Sequence, residues 1–268
     1  TGTDEHGQKM LHTAKEAGQA VEKFAAEKSA KFLSLADQWN ISNNDFIRTT
    51  EERHINGAQE FWKKSVKNGD IYKKTYTGLY CVGCEAFKTE KDLVDGKCPD
   101  HHIAPETVSE ENYFFRLSKY QKDLESLFKK HPSFVYPESR FNEMKNILKI
   151  GLEDVSISRT KAKLAWGVPV PDDDNQVMYV WFDALTNYLT ALGWGTKNNK
   201  LFKKYWPADA HVIGKEINRF HSLLWPAMLM SVGVDLPKQI AVHGWITVDN
   251  QKMSKSVGNV INPLELTQ

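Results

Sequence analysis

All three cysteines of this 268-residue chain lie close together, with two histidines beside them. The pattern is Cys81-x2-Cys84, thirteen further residues, then Cys98-x2-His101. Paired thiol and imidazole donors at this spacing suit tetrahedral zinc, with Zn–S distances of about 2.3 Å. His102 is an alternative fourth ligand, although the x2 spacing favours His101. Four protein ligands leave no open position for water. The chemistry expected is therefore structural: the ion holds a small insertion that has too little core of its own. The plain alternative is three incidental buried thiols and a loop histidine, and paired knuckles rarely arise that way. A zinc-ribbon nucleic-acid module would show the same ligands, so this cluster alone does not choose a function.

Three other groups could do chemistry. Lys252-Met253-Ser254-Lys255-Ser256 forms a polar loop before Gly258. Ammonium groups act as mobile point charges for phosphate oxygens, and such a pair could stabilise a leaving pyrophosphate. On composition alone, a solvated surface loop is the better account. Trp181, Ala184, Leu185 and Tyr188 fall at i, i+3, i+4 and i+7, one face of a helix, which by itself reads as core. Gly214-Lys215-Glu216 sits at a strand-to-helix turn, where open α/β sheets bind ligands.

The elements that must position these groups follow from periodicity. Helical spacing of apolar residues runs from Ala20 to Trp39. Thr49 and Glu52 have capping-box spacing, with a helix to Lys67. The middle of the chain predicts a strand over Tyr113 to Leu117, helices over Leu117 to Lys130 and Met144 to Leu152, and an extended stretch from Ser156 to Val170. Beyond the acidic turn Asp172 to Asp174 come a strand (Val177 to Val180), a helix (Trp181 to Leu192), a strand (Ala210 to Ile213), a helix (Glu216 to Val232) and a strand (Gln239 to His243). That alternation implies α/β architecture with a parallel sheet.

Composition sets outer bounds. Apolar residues are 41%, enough for a core. Lys+Arg 35 against Asp+Glu 34 gives a net charge of +1, which excludes nucleic-acid binding by bulk positive charge but not by a local patch. No run approaches the roughly 18 apolar residues of a membrane span, and no signal-peptide pattern opens the chain. An odd, clustered cysteine count is not a secreted disulfide framework and points to a reduced, cytoplasmic setting.

The string KMSKS at 252–256 is the signature loop of class I aminoacyl-tRNA synthetases. The segments TGTDEHG (1–7), FIRTTEERH (46–54), LYCVGC (79–84), YVWFDA (179–184) and IGKEINRFHSLLWPAM (213–228) resemble the methionyl-tRNA synthetases in particular, in the right order and over nearly the whole chain. The cysteine spacing resembles the family's one-zinc, single-knuckle form. The resemblance implies a Rossmann-like catalytic domain split by a zinc-binding connective peptide. The implied division is 1–71 for the first part of the catalytic domain, 72–171 for the connective peptide, 172–245 for the second half, and 246–268 for the KMSKS loop and the start of a C-terminal region. It also implies the reaction: methionine and ATP, with Mg²⁺, give methionyl-adenylate, and tRNA(Met) then takes the methionyl group.

On matching positions, Asp4 would pair with the substrate α-ammonium. Its plain alternative is a helix-capping loop residue. Trp181, Ala184, Leu185, Tyr188, Ile217 and His221 would surround the methionine side chain. A lone histidine on an apolar face is more often a satisfied core residue. Gly214, Lys215 and Glu216 would meet ATP, Gly214 by close backbone approach and Glu216 through the ribose hydroxyls, where many members carry Asp. Lys252, Ser254 and Lys255 would act on the phosphates, the two lysines catalytically. His243 to Trp245 would touch adenine. The family's HIGH-type tetrapeptide and its anticodon-binding domain fall outside these residues, so a chain limited to them is expected to show little aminoacylation alone. Enzymes for branched amino acids usually carry a larger editing insertion than the roughly 100 residues here, and a cysteine enzyme needs an open zinc position. The alternative from another class is a non-catalytic, synthetase-derived RNA- or protein-binding module.

Overall fold

The computed structural model describes residues 1–84, 86–253, 258–263 and 266. The strands His211–Gly214, Ile240–His243 and Val135–Tyr136 form a parallel sheet, with His211 opposite Ile240, Gly214 opposite His243, and Ile240 opposite Val135. A second parallel pair joins Gly2–Thr3 to Ile47–Arg48. Parallel pairing of strands distant in sequence requires crossovers, and the helices Glu52–Lys67 and Trp225–Val232 pack against each other among them.

From this core a long antiparallel arm projects. Ile71–Cys81 pairs with Glu106–Phe115 from Ile71 opposite Phe115 to Tyr80 opposite Glu106. Ala86–Lys88 adds to one end and Val155–Ser156 to the other. The cysteine cluster sits at the end of the arm where Ala86–Lys88 pairs, outside the main hydrophobic cluster. Around Phe61, Trp62, Phe182 and Trp225 the aromatic rings are all but excluded from water. Truncating one ring of that size, Phe61 for example, would cost about 3–5 kcal/mol.

Several expectations are met. Helices run Val21–Gln38 and Glu52–Lys67, and the expected Ile213 and Gln239 strands are present and parallel. Others change. Gln176–Met178 is antiparallel to Ser158–Thr160 rather than a member of the parallel sheet, because alternation of elements does not encode strand direction. The stretch after Thr160 is irregular up to Val170, apart from a bridge at Pro169. The capping box at Thr49 does not form: Thr49 is buried, and its hydroxyl accepts the Glu5 N–H at 3.0 Å. The segment that reads as an insertion includes Val135–Tyr136 of the core sheet, and Leu124, Phe128, Phe134, Phe141 and Met144 join the same hydrophobic cluster as Trp225 and Ile240. Residues 117–150 pack as part of the core, because the two helices there (Gln121–Lys130 and Glu138–Ile150) need it to cover their apolar faces. Among the described residues no helix is long and apolar enough to cross a membrane.

Candidate active site and metal centre

The arm's tip brings together the Sγ atoms of Cys81, Cys84 and Cys98 and a ring nitrogen of His101, all within 4.8 Å of one another. Cys84 Sγ lies 3.4 Å from Cys98 Sγ and 3.3 Å from His101 Nδ1, and Cys98 Sγ lies 3.8 Å from Nδ1. A tetrahedron with arms of about 2.3 Å has edges of roughly 3.8 Å, so the donors are spaced to share one ion. Gly83 makes room for the ring: a Cβ there would lie 2.5 Å from His101 Cγ and Cδ2. His102 is exposed, in a left-handed conformation at φ 57°, and stands outside the group. Without a cation the thiols divide. Burial and the bond to Cys98 push Cys84 up to about 12; burial would raise Cys98 too, but the His101 and backbone hydrogen bonds bring it down to about 6. A divalent ion would hold all three as thiolates.

The second site is a cavity of ≈ 1160 Å³ at the edge of the core. Asp4, Trp181, Ala184, Leu185, Tyr188, Ile217 and His221 all line it. Asp4 is exposed, next to the Gly2–Thr3 strand. The helical stripe comes from Val180–Leu185 and Asn187–Thr190, two short helices meeting at Thr186 where the sequence predicts a single one. Ile217 and His221 come from the helix after the His211–Gly214 strand. This helix starts with a 3-10 turn, Lys215–Ile217, and passes through a π-helical turn, Phe220–Leu224, a form frequent at functional sites.

Two polar side chains of the cavity, Tyr188 and His221, satisfy one another. His221 Nδ1 donates to the Ile217 carbonyl at 3.1 Å, so Nε2 accepts the Tyr188 hydroxyl proton at 2.9 Å. Burial pushes His221 down to about 4 and Tyr188 up to about 12, so both are neutral near pH 7. Trp181 stacks on Phe220 at 4.1 Å and meets His221 edge-on. An exposed carboxylate thus shares one cavity with aromatic and aliphatic side chains.

Gly214, Lys215 and Glu216 lie at the carboxyl end of the parallel sheet, opposite His243. A Cβ on Gly214 would lie 3.0 Å from Glu216 Oε2 and 3.6 Å from His243 Cε1, so backbone passes close to both. Lys215 Nζ is 3.5 Å from the centre of the Trp245 ring, which leads into the hairpin Thr247–Val248 and Gln251–Lys252. Asp249 and Asn250, both at positive φ, make the two-residue turn. The backbone of Lys252 pairs with Thr247; Ser254 and Lys255 lie outside the described residues.

The family model for class I (M) tRNA synthetases matches residues 1–107 and 101–268, the whole chain between them. The chain belongs to this synthetase family. Within it, the chain is 53% identical to a methionine–tRNA ligase of Thermotoga maritima over 98% of its own length, and 47% identical to that of Bacillus subtilis over 100%. It spans about 42% of the length of these relatives. Its fold is similar to that of Mycobacterium tuberculosis methionyl-tRNA synthetase bound by methionyl-adenylate, with a TM-score of 0.92 and 45% identity over 99% of this chain and 53% of that one. The class I synthetase fold expected from the sequence is thereby established.

Four residues outside the cavity lining of this synthetase core, on the segments that carry it, escape a reading of the sequence. Nothing in the chain pairs Phe220 with Trp181. His6, His54 and Asp183 stand out no more than their neighbours, although each sits inside a segment that carries the family resemblance: TGTDEHG, FIRTTEERH and YVWFDA. His6 Nδ1 is 2.6 Å from Asp183 Oδ2, and His54 Nε2 is 2.5 Å from Oδ1. Three histidine- or aspartate-bearing segments without internal periodicity are the available signal.

Proposed function

We propose that this chain forms the catalytic core of a methionine–tRNA ligase. The observation that carries this reading is the single cavity in which Asp4 faces Trp181, Ala184, Leu185, Tyr188, Ile217 and His221. Asp4 pairs with the methionine α-ammonium. The apolar wall takes the thioether, where sulfur–aromatic contacts add about 0.3–1.5 kcal/mol. ATP enters over Gly214, Lys215 and Glu216, the last holding the ribose hydroxyls, and brings Mg²⁺ on its phosphates. A methionine carboxylate oxygen attacks the α-phosphorus, the bond to the bridging oxygen breaks, and pyrophosphate leaves toward Lys252, Ser254 and Lys255. The lysines stabilise the charge that develops there. The terminal ribose hydroxyl of tRNA(Met) then attacks the methionyl carbonyl and AMP leaves.

Zn²⁺ held by Cys81, Cys84, Cys98 and His101 fixes the arm's tip; with four protein ligands it takes no part in the chemistry. Residues 72–116 act as the zinc-bearing insertion between the catalytic halves. Three reduced thiols fit a cytoplasmic protein of translation.

Calorimetric titration tests the reading. Methionine should bind saturably and leucine at least tenfold more weakly. Norleucine, of the same shape without sulfur, should bind within about tenfold of methionine, given the size of the sulfur–aromatic contact. Absence of saturable methionine binding, together with tight RNA binding, would instead favour a non-catalytic RNA-binding module.

A further inference from the structure

Asp183 has no exposed surface, yet it is a carboxylate. Its two oxygens are each taken by a histidine from a distant part of the chain: Oδ2 by His6, 177 residues away, and Oδ1 by His54, 129 residues away. An ionised carboxylate only accepts, so both ring nitrogens donate to it. His54 is also fully buried, and its Nδ1 lies 2.9 Å from Thr190 Oγ1. The helices meet closely here: a Cβ on Gly57, one turn along from His54, would lie 2.3 Å from Thr190 Cγ2. The carboxylate thus joins three segments that each carry cavity residues or border them. His6 follows Asp4 by two positions. Asp183 lies between Trp181 and Ala184. Thr190 ends the helix that carries Tyr188.

Stability alone does not call for this arrangement. A buried ion pair is often no better than apolar side chains of the same volume, and removing one partner leaves a stranded charge. What the pair supplies is a fixed distance. The Asp4 loop is also held by Trp166, whose Nε1 donates to the Glu5 carbonyl at 2.6 Å, and by the Arg48–Glu5 pair. Those contacts anchor it to the loop at Trp166 and to the Ile47–Arg48 strand. The His6–Asp183 bond ties it directly to the helix that bears the aromatic wall.

We propose that Asp183 is a positioning residue which, through His6 and His54, sets the span between the ammonium-binding carboxylate of Asp4 and the side-chain pocket at Trp181 and Ala184. This deepens the proposed methionine site and rests on it. The tie is also pH-dependent. Burial lowers the affinity of His6 for its proton, but the charge and hydrogen bond of Asp183, with Asp4 and Glu5 adding to them, leave it above its usual 6.5. Burial likewise opposes the Asp183 charge, and His6 and His54 outweigh it, holding the carboxyl below 3.8. Trp166 packs edge-on against the His6 ring and brings no charge. The His6–Asp183 bond is therefore an ion pair below the raised His6 value and loses its charge as pH rises through it.

The test uses Asp183→Asn, His6→Ala and His6→Asn, which keeps a donor near the Nδ1 position but cannot titrate. Methionine and ATP affinities are measured by calorimetry from pH 6 to pH 9, and amide hydrogen exchange is followed over residues 1–7. The expected result has four parts. Methionine binds about tenfold or more weakly in Asp183→Asn and His6→Ala, and ATP binds as in the parent. His6→Asn recovers part of the loss. The alkaline fall in methionine affinity that loss of the His6 proton causes in the parent is absent from the two His6 variants, which have no imidazole at position 6. Exchange over residues 1–7 rises in Asp183→Asn and His6→Ala. If Asp183→Asn does not fold, the two His6 variants carry the same comparison. Methionine affinity within twofold of the parent in folded variants, or unchanged exchange over residues 1–7, overturns the proposal. A parent that binds no methionine overturns the site assignment instead, and hydrogen exchange still decides whether Asp183 anchors the loop.

Discussion

The cysteine site makes a sharp demand on a residue that is not a ligand. Gly83 stands between the paired donors Cys81 and Cys84, and its missing side chain is where the His101 ring sits. In Gly83→Ala the new Cβ would stand 2.5 Å from His101 Cγ and Cδ2 and 3.0 Å from Nδ1, whereas ordinary contact begins at 3.4 Å. The ring must therefore withdraw by about 0.9 Å, against a tolerance of about 0.2 Å for a ligand distance. That movement takes Nδ1 out of reach of the ion. If four ligands share an apparent zinc binding free energy of about 10–16 kcal/mol, losing one costs on the order of 3–4 kcal/mol, or about 10²- to 10³-fold in affinity. Competition between the zinc-loaded protein and a colorimetric chelator measures this directly. Gly83→Ala and His101→Ala should lose zinc at similarly low chelator concentration, and His102→Ala should match the parent. A Gly83→Ala protein that holds zinc within threefold of the parent would refute the packing argument, and loss in His102→Ala alone would transfer the fourth position to His102.

Three other outcomes are expected. Asp4→Asn removes a charged partner worth about 1.5–3 kcal/mol and should weaken methionine binding by about 10- to 10²-fold in calorimetry, with ATP binding unchanged. Lys252→Ala and Lys255→Ala should each lower the rate of methionine-dependent ATP–pyrophosphate exchange by about 10²- to 10³-fold, measured in a protein containing the whole family catalytic domain, with methionine affinity kept. The third concerns acid stability. His221 in the folded state is held at about 4, below its ordinary 6.5, so the unfolded chain takes up the proton first as pH falls. Its contribution is complete above about pH 6.5 and is lost toward pH 4, at up to about 1.4 kcal/mol per pH unit. Urea unfolding of His221→Gln should therefore lose less stability between pH 7 and pH 5 than the parent does; an equal loss in both would contradict the buried neutral histidine.

The parts of this molecule that can be read from the chain are those whose geometry is local. Cys81 and Cys84 are three positions apart, as are Cys98 and His101, so each pair is fixed by one turn of backbone. Trp181, Ala184, Leu185 and Tyr188 share a helix face by period alone, and the break at Thr186 does not disturb their common exposure to the cavity. What escapes depends on partners far along the chain. Nothing near Thr49 indicates that its hydroxyl will serve Glu5 instead of a helix end. Nothing in Val135–Tyr136 shows that it will pair with Ile240, since two residues carry no pattern. Asp183 reads as an ordinary polar residue on a helix until His6 and His54 arrive from elsewhere.

The two polar systems behind the cavity solve opposite problems. Tyr188, His221 and the Ile217 carbonyl form a neutral chain in which each of these donors already has an acceptor, and Trp225 Nε1 donates to His211 in the same way at 3.2 Å. An apolar side chain entering there leaves neither the Tyr188 hydroxyl proton nor the His221 N–H without an acceptor. That fits the uncharged side chain of the proposed methionine substrate. Asp183 and its histidines form a charged knot behind the wall, and their strength lies in holding distances. Placing the charge one layer back keeps the Asp183 carboxylate out of the cavity lining while its His6 bond ties the Trp181 helix to the Asp4 loop.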